Sequence, residues 1–245
     1  MTSMQIEIIK SGDNYIYLII DGSSAAVVDP SEAENVLTIV RNAGLDLSTI
    51  LITHDHHDHT AGVKSLRNHT NCMVYGPSQD CPVKNGQVIH IGITAFSVIS
   101  VPGHTSNDVA YYSAEASVIF TGDTLFGAGC GRIFGGSAEQ MWNSLQILRN
   151  LPNDTLIYCG HEYTVANLEF AISIEPHNNT IAHRLTEERK RQKHGTATIP
   201  TTMALEKITN PFLRCDDTDF KKAVGLSDRN STEVFAEIRK RKNSF

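Results

Sequence analysis

The longest strongly apolar run in the 245 residues, Tyr15-Ile16-Tyr17-Leu18-Ile19-Ile20, is far short of a membrane span, which needs about 20 residues. No basic leader followed by an apolar stretch opens the sequence, so an unexported chain away from membranes is expected. Internal repeats and low-complexity tracts are absent. No stretch interleaves aromatics with Lys or Arg, which argues against a nucleic-acid partner. The five cysteines form no C-x-x-C pair and their odd number leaves at least one unpaired, as suits a reducing, cytoplasmic setting. Apolar residues at 40% and charged residues at 20% are ordinary for a folded chain, and this length buries a core without disulfide staples.

Charge is unevenly spread. The formal net value is −6, yet residues 1–181 hold 7 Lys/Arg against 18 Asp/Glu and residues 182–245 hold 14 against 9. A basic tail section either meets an anionic ligand or is a set of solvated helix faces.

Short β-branched runs alternate with helical ones as far as about residue 164, the texture of α/β structure. Residues 15–20 and 25–28 flank Asp21-Gly22-Ser23-Ser24 and read as a hairpin. Ser31 and Glu34 have capping-box spacing for a helix over 32–43, which Gly44 ends. Ile50-Leu51-Ile52 reads as a strand covered on both faces, with further strands at 96–101, 118–120 and 156–158. Ser137 and Gln140 cap a helix through Arg149 whose Met141, Leu145 and Leu148 share one face. Beyond His161 the patterns are helical, over 167–174, 181–193, 203–208 and 231–242, so two domains are predicted, 1–163 and 164–245.

Four of the six residues from His54 to His59 are histidine, where the composition of the whole chain would place fewer than one. An extended continuation past Thr53 would put His54 and His56 on one side, within reach of one divalent ion, with Asp58 and His59 turned toward a second. Val101-Pro102-Gly103-His104 and Cys159-Gly160-His161 each deliver one imidazole after an apolar strand, and Thr121-Gly122-Asp123-Thr124 delivers a carboxylate in the same way. The candidate ligands are thus His54, His56, Asp58, His59, His104, Asp123 and His161; His57, His69, His90, His177, His183 and His194 gain no such support.

T-H-x-H-x-D-H followed by G-H-T, G-D-T and a late G-H resembles the metallo-β-lactamase superfamily. Gly122-Asp123-Thr124-Leu125-Phe126, Gly129-Cys130-Gly131-Arg132, Gly160-His161-Glu162-Tyr163-Thr164 and Asn210-Pro211-Phe212-Leu213-Arg214 are similar to glyoxalase II, the hydroxyacylglutathione hydrolases. The resemblance implies an αβ/βα sandwich with a C-terminal helical domain and a dinuclear centre. One ion would be held by His54, His56 and His104 and the other by Asp58, His59 and His161, with Asp123 bridging and Asp58 and Asp123 as the catalytic carboxylates. It implies two divalent ions, zinc first with iron or manganese also suited, and glutathione contacts at Arg132, Tyr163 and Arg214. The implied reaction is hydrolysis of an S-(2-hydroxyacyl)glutathione, such as S-D-lactoylglutathione, in methylglyoxal detoxification, by a monomeric cytoplasmic enzyme. Phe134 stands where some members have Tyr, and Asp217 lies near where some have a further Lys.

Paired guanidinium forks suit a substrate with two carboxylates better than lysines would. Cys130 lacks a histidine to activate it, because the nearby ones are committed to metal. The competing readings are a mononuclear-iron persulfide dioxygenase, which the complete second ligand set and the tail motif oppose, a nuclease of the same fold, and a non-catalytic metal-binding module.

Overall fold

The computed structural model describes residues 4–245. Contacts divide the chain into two compact units, one running to Ser100 and resuming at Asn107–Gly122, the other formed by Val101–Ser106 and Asp123–Phe245.

In the first unit a sheet runs in the order β1 (Gln5–Ser11), β2 (Asn14–Asp21), β3 (Ser24–Val28), β4 (Asp46–Leu51), β5 (Met73–Gly76) and β6 (Cys81–Pro82). Its first three strands pair antiparallel and the rest parallel. Helix α1 (Glu34–Ala43) links β3 to β4, while α2 (His57–Thr60) and α3 (Val63–Thr70) link β4 to β5. Strands β7 (Val88–Ile91), β8 (Thr94–Ser100), β9 (Val109–Ser113) and β10 (Val118–Gly122) follow as an antiparallel succession.

The run over β2 lacks polar alternation because both of its faces are covered. Ile16 and Leu18 enter a core with Val36, Leu37 and Val40 of α1 and Leu66 of α3. Tyr17 points the other way, its ring 5.3 Å from Phe120 of β10, which in turn lies 6.1 Å from Phe96 of β8. Each such fully buried side chain contributes about 1.5–3 kcal/mol. At the end of β2, Asp21 accepts from the backbone N–H groups of Ile93 and Thr94, at 2.8 and 3.0 Å, and from the Thr94 hydroxyl. Burial alone would raise this carboxyl, but those three donors outweigh it and hold it below its ordinary value.

The second unit contains the hairpin β11 (Leu125–Phe126) and β12 (Gly129–Cys130), helix α4 (Ala138–Arg149) and β13 (Leu156–Cys159), which pairs with the short β14 (Thr201–Thr202). Helices α5 (Thr164–Ile174) and α6 (Asn179–Lys193) pack Val165, Leu168 and Ala171 against Ile181 and Leu185. After them come α7 (Met203–Thr209), α8 (Thr218–Ala223) and α9 (Ser231–Asn243). Aromatic rings join α4, α5 and α9: Trp142 is 6.2 Å from Phe235, and Phe212 is 5.9 Å from Phe235 and 6.2 Å from Phe170. Fully buried Glu206 accepts from Arg184 at 2.6 Å, Thr201 at 2.8 Å, Asn210 at 3.0 Å and the Ala128 N–H at 2.7 Å, so it ties α6 and α7 to the β11–β12 turn. Among the described residues no helix is long and apolar enough to cross a membrane.

The hairpin, the Gly44 stop in the left-handed region and the Ser137–Gln140 box all form as the sequence indicates. Others form differently. Helix α1 starts at Glu34, two residues late, and Ser31 does not cap it: the carboxylate of Glu32 accepts from the Asn35 N–H at 3.2 Å instead. Strand β4 stops at Leu51, so the two histidines beyond it meet through a bend rather than through strand alternation. Between β4 and β5 the helical stretch is split in two, because the backbone leaves helical bonding between Thr60 and Val63. The edge strand β1 and helix α8 carried too weak a pattern to be read. The basic face of α6 is solvated and largely paired, Arg189 with Glu169, Lys190 with Glu187 and Arg191 with Glu188.

Candidate metal centre

In the first unit the histidine cluster follows β4. The His54 and His59 rings lie 4.2 Å apart, and His54 Nε2 is 3.1 Å from His56 Nδ1. What aims these rings is Asp29, a buried residue at the end of β3. One of its oxygens accepts from the Thr53 N–H at 2.8 Å, and the other from the Thr53 hydroxyl at 2.7 Å and from His59 Nδ1 at 3.0 Å. The Thr53 hydroxyl, having given its proton to Asp29, accepts from His54 Nδ1 at 3.0 Å. These bonds engage Nδ1 of both rings and turn the Nε2 edges the other way, that of His54 toward His56 and that of His59 toward Asp58. Ligand atoms of Asp29, His54 and His59 fall within 4.8 Å of one another, but the Asp29 oxygens are already engaged with Thr53 and His59, so its role is to orient rather than to ligate. Asp58, half exposed, is held by the Asn14 amide through its carbonyl at 3.1 Å and its carboxylate at 3.3 Å, with His59 Nε2 3.7 Å away. Gly122 ends β10 with φ +49, and a Cβ there would collide with the Thr53 hydroxyl.

In the second unit three further candidates converge. One oxygen of Asp123 lies 3.5 Å from His104 Nε2 and 3.4 Å from His161 Nε2, an arrangement suited to a carboxylate shared between two cations. His104 Nδ1 donates to the Arg132 carbonyl at 2.7 Å, so its Nε2 lone pair faces the carboxylate. All three are nearly buried. Gly131 follows β12 because a Cβ there would strike the Asp123 carbonyl and come within 2.9 Å of His104 Nδ1.

Of the expected substrate contacts, Tyr163 stacks on His161 with centroids 4.8 Å apart and planes 3° from parallel, about a third exposed. Arg132 is exposed in the loop beyond β12. Arg214 is engaged with Glu175 in a bidentate ion pair, at 2.6 and 3.0 Å. Phe134 is 67% exposed and sits edge-on to His104 at 5.4 Å, and Asp217 caps α8 by accepting from the Phe220 N–H. Cys130 is buried, and that burial, partly offset by Arg239, pushes its thiol up to about 11. Arg239 also donates to the Cys130 carbonyl at 2.7 Å. Asp29, which holds His59, and Glu175, which holds Arg214, escape a reading by motif. The only signal for Asp29 is a carboxylate at the end of an apolar strand, the same signal that marks Asp123.

Residues 10–88 and 74–161 match the metallo-beta-lactamase superfamily, and residues 162–245 match the family described as hydroxyacylglutathione hydrolase C-terminus. A crystal structure of ETHE1 from Myxococcus xanthus superposes with a TM-score of 0.70 at 28% identity, covering 99% of this chain and 92% of that one. Mixed sheets, strand-end histidines and the matched segments make this a metallo-β-lactamase fold with a C-terminal helical region. A hydroxyacylglutathione hydrolase of Rhodospirillum rubrum is 43% identical over 256 residues, covering 100% of both chains, and one of Methylobacillus flagellatus is 44% identical over 248, covering 98% of each. The chain belongs to the hydroxyacylglutathione hydrolase family, the metal-dependent thioester hydrolases of that superfamily.

Proposed function

We propose that this protein hydrolyses the thioester of S-(2-hydroxyacyl)glutathione, S-D-lactoylglutathione among them, to glutathione and a 2-hydroxy acid, in methylglyoxal detoxification. The names of the relatives favour this over the dioxygenase and nuclease alternatives. Two divalent ions are assigned, one to His54, His56 and His104 and the other to Asp58, His59 and His161, with Asp123 bridging. Zinc is the first choice, and imidazole and carboxylate donors also suit iron and manganese.

The observation that carries the reading is the hydrogen bonding of Nδ1: His54 to Thr53, His59 to Asp29 and His104 to the Arg132 carbonyl, which leaves Nε2 as the edge each ring turns away from those partners. Imidazoles oriented in this way by a second hydrogen bond are the usual ligands of divalent ions. Bound divalent ions would supply a hydroxide-like nucleophile at neutral pH and polarise the thioester carbonyl. The chain's own part is to aim the donors, with Asp58 and Asp123 as the catalytic carboxylates, and to hold the substrate. Arg132, Tyr163 and Arg214 are assigned to the glutathione portion, and 164–245 to a substrate-binding domain beside a catalytic domain over 1–163. The buried thiol of Cys130 stays protonated at neutral pH and supplies no nucleophile. A monomer in the cytoplasm fits the free cysteines and the small anionic substrate.

Elemental analysis of the purified protein together with a thiol-release assay on S-D-lactoylglutathione tests this reading. About two metal equivalents and rapid thiol release are expected; a metal-loaded protein that leaves the thioester intact overturns it.

A further inference from the structure

Glu175 is the last residue to bond back onto α5, its N–H donating to the Ala171 carbonyl. It opens the turn Pro176-His177-Asn178 into α6, and Asn178 donates to Glu175 Oε1 at 3.4 Å while capping that helix. Glu175 grips Arg214 by two parallel bonds, Nη1 to Oε2 and Nη2 to Oε1, with the side chains 8% and 14% exposed. The guanidinium lies over the Phe220 ring, 5.0 Å from its centroid. Glu175, Arg214, Asn178 and Asp219 share the lining of a groove of about 540 Å³ in this unit.

A guanidinium has five coplanar N–H donors. Glu175 takes one from each terminal nitrogen, and among the described residues no other hydrogen bond engages the group. The Phe220 ring lies against the guanidinium, the two-point carboxylate contact fixes its rotation, and the edge carrying Nε–H remains for another acceptor.

We propose that Glu175 is a positioning residue for substrate binding: it holds Arg214 so that the remaining edge receives a carboxylate of the glutathione portion. This rests on the reading of Arg214 as a substrate contact. A substrate that instead displaced Glu175 would leave that nearly buried carboxylate uncompensated, at a cost exceeding what one new ion pair returns. Addition to the free edge breaks nothing.

The test compares Glu175→Gln, Arg214→Lys and the double variant on two thioesters: S-D-lactoylglutathione, and the lactoyl thioester of N-acetylcysteamine, which carries no carboxylate. Glu175→Gln is expected to raise KM for the glutathione thioester about tenfold, the loss of one charge-assisted bond. Its kcat and the rate on the neutral thioester should be nearly unchanged, and in the Arg214→Lys background it should add little. A KM that stays put or falls overturns the proposal, a fall meaning that Glu175 competes with substrate. Equal losses on both thioesters also overturn it, by reducing Glu175 to a structural part. Failure of the unaltered enzyme on both thioesters would instead strike the thioester-hydrolase reading, and an unaltered KM in Arg214→Lys the contact reading beneath the proposal.

Discussion

His59 Nδ1 and Asp29 Oδ2 are 3.0 Å apart, 30 residues distant in the chain, and the same carboxylate also fixes Thr53 and, through it, His54. One side chain therefore orients two imidazoles. Asp29 holds φ +47, a backbone region that Asn tolerates.

Asp29→Asn should accordingly fold yet weaken the metal centre. Its amide would present N–H to a nitrogen that now donates, pushing the His59 proton onto Nε2. Metal affinity should fall about 10–100-fold, read by competition with a chromophoric chelator. An unchanged affinity would mean that the orientation is set elsewhere.

Asp123 offers one oxygen to both His104 and His161. Asp123→Ala should lower kcat by at least about a hundredfold and reduce bound metal. Exhaustive chelation of the unaltered protein should abolish thiol release, and zinc, manganese or iron should restore it. Full activity in the chelated protein would sink the metal assignment.

The donors that hold Asp21 low make its ionised form a source of stability. Because the folded value is depressed, that contribution is complete above the ordinary carboxylate range and is lost as pH falls from about 4 through the folded value. Asp21→Ala should lower the melting temperature by several degrees at pH 7, and the gap from the unaltered protein should narrow in acid. A gap independent of pH would place the effect in packing alone.

Cys130→Ala should leave kcat within about twofold, and alkylating reagents should act slowly on the folded chain, since a thiol held near 11 is almost wholly protonated at pH 7. Loss of hydrolysis on selective labelling of Cys130 would contradict this.

Glu206 carries four partners in a site closed to water. Glu206→Ala strands the Arg184 charge and should cost about 3–5 kcal/mol in chemical denaturation. A loss below about 1 kcal/mol would show that water enters and replaces the carboxylate.

Features written in neighbouring residues were legible. The 15–20 and 25–28 hairpin needed only a turn with Gly22, and the Ser137–Gln140 box only a spacing of three. Ser31 and Glu34 have the same spacing, and there it misled, because the Glu32 carboxylate takes the Asn35 N–H in the first turn. The candidate metal donors stood out because chance does not crowd four histidines into six positions. Asp29, Glu175 and Glu206 left no comparable mark, since a single carboxylate looks alike whether it caps a turn, meets water or orients another side chain.

Residue types and short spacings determined which atoms are available: imidazoles and carboxylates at strand ends, guanidiniums in the tail, apolar faces for a mixed core. Tertiary structure alone decided how those atoms are aimed. The pairs His59 with Asp29, His104 with the Arg132 carbonyl and Arg214 with Glu175 are separated by 30, 28 and 39 residues. Local periodicity says nothing across such intervals, because only packing of the intervening elements fixes which hydrogen-bonding edge meets which.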